Sequence, residues 1–136
     1  MFQKVTLLSI AIFFVACEDY PVYTGYLSEQ KKLSLACINI KTFDPKLTKP
    51  LQKSLSIYSN SACSYKLTGY IHHVDSCSNP QVKSLGADFN GYVRLEVGDD
   101  NNRLYRVQSD FKIDEDKAIK RVIEHIKKDL FVAKNQ

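Results

Sequence analysis

GADFNGYVRLEVGDDNNRLYRVQSDFKIDEDKAIKRVIEHIKKDL, residues 86–130, changes its hydrophobic period once, and that change decides the fold. Ala87, Phe89, Gly91, Val93, Leu95 and Val97 are small or apolar, with Asp88, Asn90, Tyr92, Arg94 and Glu96 between them. A period of two sustained over this length predicts a half-buried strand. Gly98-Asp99-Asp100-Asn101-Asn102 is rich in residues that tolerate left-handed backbone, and Tyr105, Val107, Ser109 and Phe111 restart the alternation, so a second strand folds back on the first. Beyond Asp114 the apolar residues are Ile119, Val122, Ile123, Ile126 and Leu130, a single stripe at helical spacing. A hairpin followed at once by an amphipathic helix buries both apolar surfaces when the helix packs on the hairpin.

Upstream, Tyr65 to Val74 alternates again, with Leu67, Gly69 and Ile71 on one face and Lys66, Thr68, Tyr70 and His72 on the other. Asp75 to Leu85, containing Ser78-Asn79-Pro80, predicts a loop into the hairpin. Leu47, Leu51, Leu55 and Tyr58 repeat at three to four residues. A proline inside a helix costs ~3 kcal/mol, so the expected helix starts at Pro50, capped by Thr48 or Lys49, and ends near Tyr58. Leu33 to Phe43 is apolar on both parities, as in a strand buried on both faces or an edge strand partly covered by the segment before it. Glu18 to Gln30 lacks clean periodicity and predicts a tether with at most a short edge strand, its Tyr20, Tyr23 and Tyr26 laying it on the body or offering a stacking surface. The expected fold is α+β, one domain over residues 31–131 in the order β-α-β-β-β-α. Its sheet would be mixed, mostly antiparallel and four-stranded, with two helices on one face and a short tail at 132–136.

A chain of 136 residues, 44% apolar and 25% charged, fits one small globular domain. Met1 to Ala16 joins Lys4 to an apolar run too short to span a bilayer at ~20 residues per helix, which predicts an export signal over residues 1–16. Without it the net charge falls only from +4 to +3, too mild to argue for a nucleic-acid partner. Four cysteines in such a chain do not make a disulfide-dense scaffold, so the core has to hold the fold.

Phe14-Val15-Ala16-Cys17 resembles the bacterial lipobox, in which a small residue precedes a cysteine that is acylated and becomes the mature N-terminus. The resemblance implies that Cys17 is a lipid anchor, with residues 17–30 as the tether; buried acyl chains at ~0.8 kcal/mol per CH₂ hold such an anchor in a membrane. Glu18 in place of an aspartate is similar to outer-membrane lipoproteins. The lipobox, the element order and a first helix opening Pro50-Leu51-Gln52-Lys53-Ser54-Leu55 together resemble the LptE family of lipopolysaccharide-assembly lipoproteins, with Thr24-Gly25-Tyr26-Leu27 as a displaced echo of that family's start. PqiC-type and YajG-type lipoproteins share the layout. The resemblance implies a non-enzymatic accessory partner in envelope biogenesis or lipid transport, anchored at the outer membrane with its domain in the periplasm. It would meet an outer-membrane protein complex, with lipopolysaccharide as a candidate ligand. Secretion-system accessory lipoproteins and surface-exposed adhesin-like proteins are the alternative class.

The expected sheet turns Leu67, Ile71, Phe89, Val93, Val97, Val107 and Phe111 toward the helices and Tyr70, His72, Tyr92, Arg94, Glu96, Arg106 and Gln108 away. An ordinary solvated sheet face has this composition. It also suits docking, and Tyr70, His72, Tyr92, Arg94 and Arg106 are the candidate partner-binding residues. His72 and His73 point to opposite faces and cannot share a metal without a bulge, and no HExxH, CxxC, P-loop or GxSxG pattern occurs, so neither catalytic residues nor a metal or cofactor is expected. With Cys17 acylated, Cys37, Cys63 and Cys77 leave three possible pairings; a straight strand between 63 and 77 would exclude that pair, and a hairpin there would restore it. The lysines of the last helix, Lys117, Lys120, Lys127 and Lys128, with Arg121, could meet lipid headgroups. They also follow the macrodipole behind Asp114, Glu115 and Asp116.

Overall fold

The computed structural model describes residues 20–27, 33–74 and 89–131. The expected export signal at 1–16, Cys17, the expected loop at 75–85 with Cys77, the start of the alternation at Ala87 and Asp88, and the expected tail at 132–136 lie outside the described residues. The elements are β1 (Val22–Tyr26), β2 (Asn39–Ile40), α1 (Pro45–Ser54), β3 (Lys66–His73), β4 (Gly91–Gly98), β5 (Arg103–Phe111) and α2 (Glu115–Leu130). They form an α+β fold with one mixed five-stranded sheet in the order β1-β5-β4-β3-β2, in which only β2 and β3 run parallel.

The fifth strand corrects the four-stranded expectation. Val22 to Tyr26 pairs antiparallel with β5, Val22 opposite Ser109 and Tyr26 opposite Tyr105, so the supposed tether closes one sheet edge. Tyr26 sets its ring edge-on to Tyr105 at 5.3 Å, and that packing adds to a strand whose Val22, Tyr23, Thr24 and Tyr26 are strand-favouring types, although they lack a clean apolar alternation. At the opposite edge the long strand expected over Leu33 to Phe43 shrinks to Asn39 and Ile40. Its apolar residues on both parities have different partners. Leu35 donates its N–H to the Leu130 carbonyl, Ile38 bridges to Ser59, and Cys37 is disulfide-bonded to Cys63 with Cα atoms 5.9 Å apart.

α1 begins five residues earlier than expected and ends at Ser54 rather than near Tyr58. Asp44 caps it, accepting the Lys46 N–H at 3.0 Å, Pro45 takes the first turn, and Pro50 stands inside the helix. The longer helix buries Leu47 as well as Leu51, both 0% exposed, and this offsets the hydrogen bond that Pro50 cannot donate. α2 follows its sequence signals: Asp114 accepts the Lys117 N–H, acids fill the first turn, and Lys127 and Lys128 the last. In the β4–β5 turn, the Asp99 carboxylate accepts the N–H groups of Asn101 and Asn102, bonds that hold its pKa below the ordinary value.

Both helices cover the same sheet face. Leu47 and Leu51 of α1 and Ile119, Val122, Ile123, Ile126 and Leu130 of α2 join Leu67, Val93, Leu95, Val97, Tyr105, Val107 and Phe111 in one core. Polar contacts fix α2 on β5, among them Arg121 Nη2 donating to the Asp110 carbonyl at 2.9 Å. Arg121 Nε donates to the buried Ser109 hydroxyl at 2.9 Å, and the Tyr105 hydroxyl donates to Asp129 at 2.6 Å. Burial, then the neighbouring carboxylate, push the Tyr105 pKa far up.

Candidate functional site

The face of the sheet turned away from the helices is crossed by rows of side chains set by strand register. One row runs Tyr23, Gln108, Arg94, Tyr70 from β1 to β3, and the next toward the start of β4 runs Asp110, Tyr92, His72. On the other side lies Gly25, Arg106, Glu96, Thr68. Tyr70, His72, Tyr92 and Arg94, four of the five expected residues, meet at the centre.

Arg94 organises them. Its Nε and Nη2 donate to the Gln108 amide oxygen at 2.9 and 2.7 Å, and its Nη1 donates to the Tyr70 hydroxyl at 2.9 Å. Its guanidinium carbon lies 5.1 Å from the Tyr92 ring centre and 5.7 Å from that of Tyr70, within cation–π range of both. His72 stacks on Tyr92 with ring centres 5.0 Å apart, and Tyr70 meets Tyr92 edge-on at 6.1 Å. Hydrogen bonding with Tyr70, followed by desolvation, raises the Tyr92 pKa above the ordinary 10.0. The partners of Arg94 are neutral, and among the described residues no ion pair involves it.

Arg106 is not part of this cluster. Its Nε pairs with Glu96 at 3.0 Å, and the same carboxylate also holds Arg103 at 3.5 Å. Glu96 thus commits Arg106 to a cross-strand ion pair, a coupling that directly opposite positions on neighbouring strands produce. His73, on the other face, pairs with Glu115 at 3.3 Å and sets its ring against Phe111, so the two histidines do diverge. Gln108, which the sequence places on this face, and Tyr23, which it reads as part of a tether with a stacking option, are not among the expected partner-binding residues. Their signal lies in the alternation of β5 and in Tyr23 and Gly25 of β1, but it carries weight only once β1 is known to pair with β5.

No protein-family model, curated protein or solved structure matches the chain. Function therefore has to be argued from the geometry of the open face and of two hollows among the described residues. One hollow of about 370 Å³ lies between the helices, floored by Pro50, Ile119 and Ile123. The other, of similar size, lies beside the β4–β5 turn and is lined largely by polar groups, including Lys66, Glu96 and Arg103. Neither places aromatic faces around a cation. The Arg94 cluster does, and a guanidinium with unused N–H groups beside two phenol hydroxyls is suited to a carboxylate, a phosphate or a peptide carbonyl. Among the described residues no helix is long and apolar enough to cross a membrane.

Proposed function

We propose that this protein is a lipid-anchored, non-enzymatic accessory protein of the bacterial outer membrane, which captures a partner of the envelope assembly or lipid-transport machinery on the open face of its sheet. The observation that carries the proposal is Arg94, set between two tyrosine rings and hydrogen-bonded to neutral groups. A cation so placed has no carboxylate in direct contact, Asp110 reaching it only through the Gln108 amide at 3.3 Å, and its ring neighbours cover one side of it, so an incoming carboxylate or phosphate meets a positioned donor. Tyr and Arg at the centre of a patch are also the residues on which interface energy concentrates. The anchor half of the proposal rests on Phe14-Val15-Ala16-Cys17 and on the apolar run before it.

Two measurements test the two halves separately. Intact mass of the protein purified from its native membrane should show a mature N-terminus at Cys17 carrying diacylglycerol and a further acyl chain; an unlipidated chain cleaved nearby removes the anchor. A photo-crosslinking residue in place of Thr68, exposed on the same face beside the cluster, should give an adduct with an outer-membrane component in whole envelopes, lost when Arg94→Ala is added. Adduct yield unchanged by Arg94→Ala in a folded variant would sink the sheet-face half.

A further inference from the structure

We infer that the end of the domain bearing Phe43 and Ile113 lies against the lipid surface, so that the strands stand upright on the membrane and the Arg94 face looks sideways along it. This rests on the anchor reading above and adds an orientation to it.

Chain direction selects the end. β5 finishes at Phe111, β3 at His73, and β4 begins at Gly91 opposite both, so these three strand ends lie together. β1 runs antiparallel to β5 and enters from the same end, since Val22 lies opposite Ser109 and Tyr26 opposite Tyr105. Tyr20 therefore stands where the chain arrives from Cys17, three residues earlier, a span of at most ~11 Å. An acylated Cys17 holds this end of the sheet close to the headgroups, whatever path those residues take.

Both helices also start here. Lys46, in the first turn of α1, pairs with Glu115, in the first turn of α2, at 2.9 Å, and His73 pairs with the same carboxylate. The residue just before each cap is apolar and open to solvent, Phe43 at 95% and Ile113 at 84% exposed. A hydrophobic residue in this position ordinarily folds back on the fourth residue of its helix. In α1 that residue is Thr48, whose hydroxyl is occupied with the Thr42 and Asp44 carbonyls, so Phe43 has no apolar platform in its own helix. A single exposed apolar side chain is ordinary, but two at the strand end that leads to a lipidated cysteine are placed to enter the acyl boundary. Lys46, Lys112 and Lys117 stand among Asp44, Asp114, Glu115 and Asp116, so this end has no cationic excess and the contact depends on the two apolar side chains. Arg94, three residues into β4 from Gly91, then sits roughly 10 Å above the headgroups, within reach of a partner seated in the same membrane.

The chain contains no tryptophan, which permits a direct test. Phe43→Trp, Ile113→Trp and Ile57→Trp, each in the protein expressed with its own leader and purified from membranes, would be reconstituted into phosphatidylethanolamine–phosphatidylglycerol vesicles with brominated acyl chains. Ile57 is 81% exposed and follows α1 at the opposite end, beside the Ile38–Ser59 bridge, and so serves as the reference. Emission from Phe43→Trp and Ile113→Trp should be quenched several-fold more strongly than that from Ile57→Trp, with little change as salt is raised. Lipidated protein in which all three are quenched alike, or Ile57→Trp the most, overturns the orientation and leaves the anchor standing. Protein whose mass shows no lipid removes the anchor, and the orientation falls with it.

Discussion

Val93, Leu95, Val97, Val107 and Phe111 lie buried under the helices, while Tyr92, Arg94, Glu96, Arg106 and Gln108, one residue away along the same two strands, are only half-covered. Polar groups occur on both faces but are satisfied differently. Under the helices Ser109 and Tyr105 have partners on α2, Arg121 and Asp129, and these contacts position the helix on the sheet. On the open face the partners lie sideways on neighbouring strands, Arg94 with Gln108 and Tyr70, Arg106 with Glu96, and neither helix lies above them. Changes to the covered face should therefore be read out as stability, and changes to the open face as recognition.

The largest test of that contrast is Leu95→Ala. Leu95 is 0% exposed and fills the space over Gly69 so closely that a methyl group added to that glycine would run into the leucine side chain. Removing it should cost ~2–5 kcal/mol in denaturant unfolding, with the midpoint falling and the slope little changed. A loss below ~1 kcal/mol would mean that the covered face is not the close-packed core described here.

Next comes the edge at β2, which has only two ladder residues to hold it. The Cys37–Cys63 bond closes a loop with a sequence separation of 26 residues, and chain entropy assigns such a loop about 3.5 kcal/mol. Paired Cys37→Ser and Cys63→Ser changes should destabilise by an amount approaching that figure. They should also raise hydrogen exchange at Ile38 and Asn39 before the β4–β5 ladder is affected. Equal loosening of both regions would place this edge inside the same cooperative unit as the sheet centre.

How much of this is legible in the sequence follows the same division. Period two in β3, β4 and β5 and period 3.6 in α2 need only local chemistry, and these elements and the Asp99 turn appear where the spacing puts them, except that β4 begins at Gly91, so that Phe89, expected to face the helices, precedes the strand and is only half-buried. The edges do not. β1 is a strand because β5 offers it a ladder and Tyr105 a ring, and Leu33 to Phe43 is mostly not a strand because its apolar residues are claimed by α2, by Ser59 and by a disulfide. Pro50 misleads for a related reason: its local cost has to be weighed against the buried Leu47 that offsets it. On the open face, spacing alone places Tyr70, His72, Tyr92 and Arg94 together, but not the commitment of Arg106 to Glu96 or the service of Gln108 to Arg94.

A smaller effect should come from Tyr105→Phe, which keeps the ring and removes only the donor to Asp129. A carboxylate left short of its donor costs about 1–3 kcal/mol at neutral pH. The alkaline limb supplies an independent check. The folded-state pKa of Tyr105 is raised above the ordinary 10.0 of the unfolded chain, so its contribution is fully present below pH 10 and is lost as pH rises beyond it. Each such group contributes about 1.4 kcal/mol per pH unit to that fall. Tyr105→Phe should flatten the limb without abolishing it, because Tyr26 and Tyr92 are shifted the same way. An unchanged alkaline slope would mean that Tyr105 ionises as readily folded as unfolded.

The smallest stability effect and the sharpest contrast belong to Arg94→Ala, the immediate neighbour of Leu95 on the opposite face. It removes hydrogen bonds to Gln108 and Tyr70 that water can replace, so the unfolding free energy should change by no more than ~1 kcal/mol. The rings keep their own contacts, His72 on Tyr92 and Tyr70 against its edge, so the aromatic part of the surface persists without its cation. Adduct formation with the proposed envelope partner should nonetheless fall at least tenfold, the loss expected when a charge-assisted contact worth about 1.5–3 kcal/mol is withdrawn. Arg94→Lys separates charge from shape, because a lysine restores the positive charge but not the planar fork that reaches Gln108 and Tyr70 together. Recovery by lysine would show that the partner reads charge alone; failure to recover would show that it reads the guanidinium as Gln108 and Tyr70 hold it.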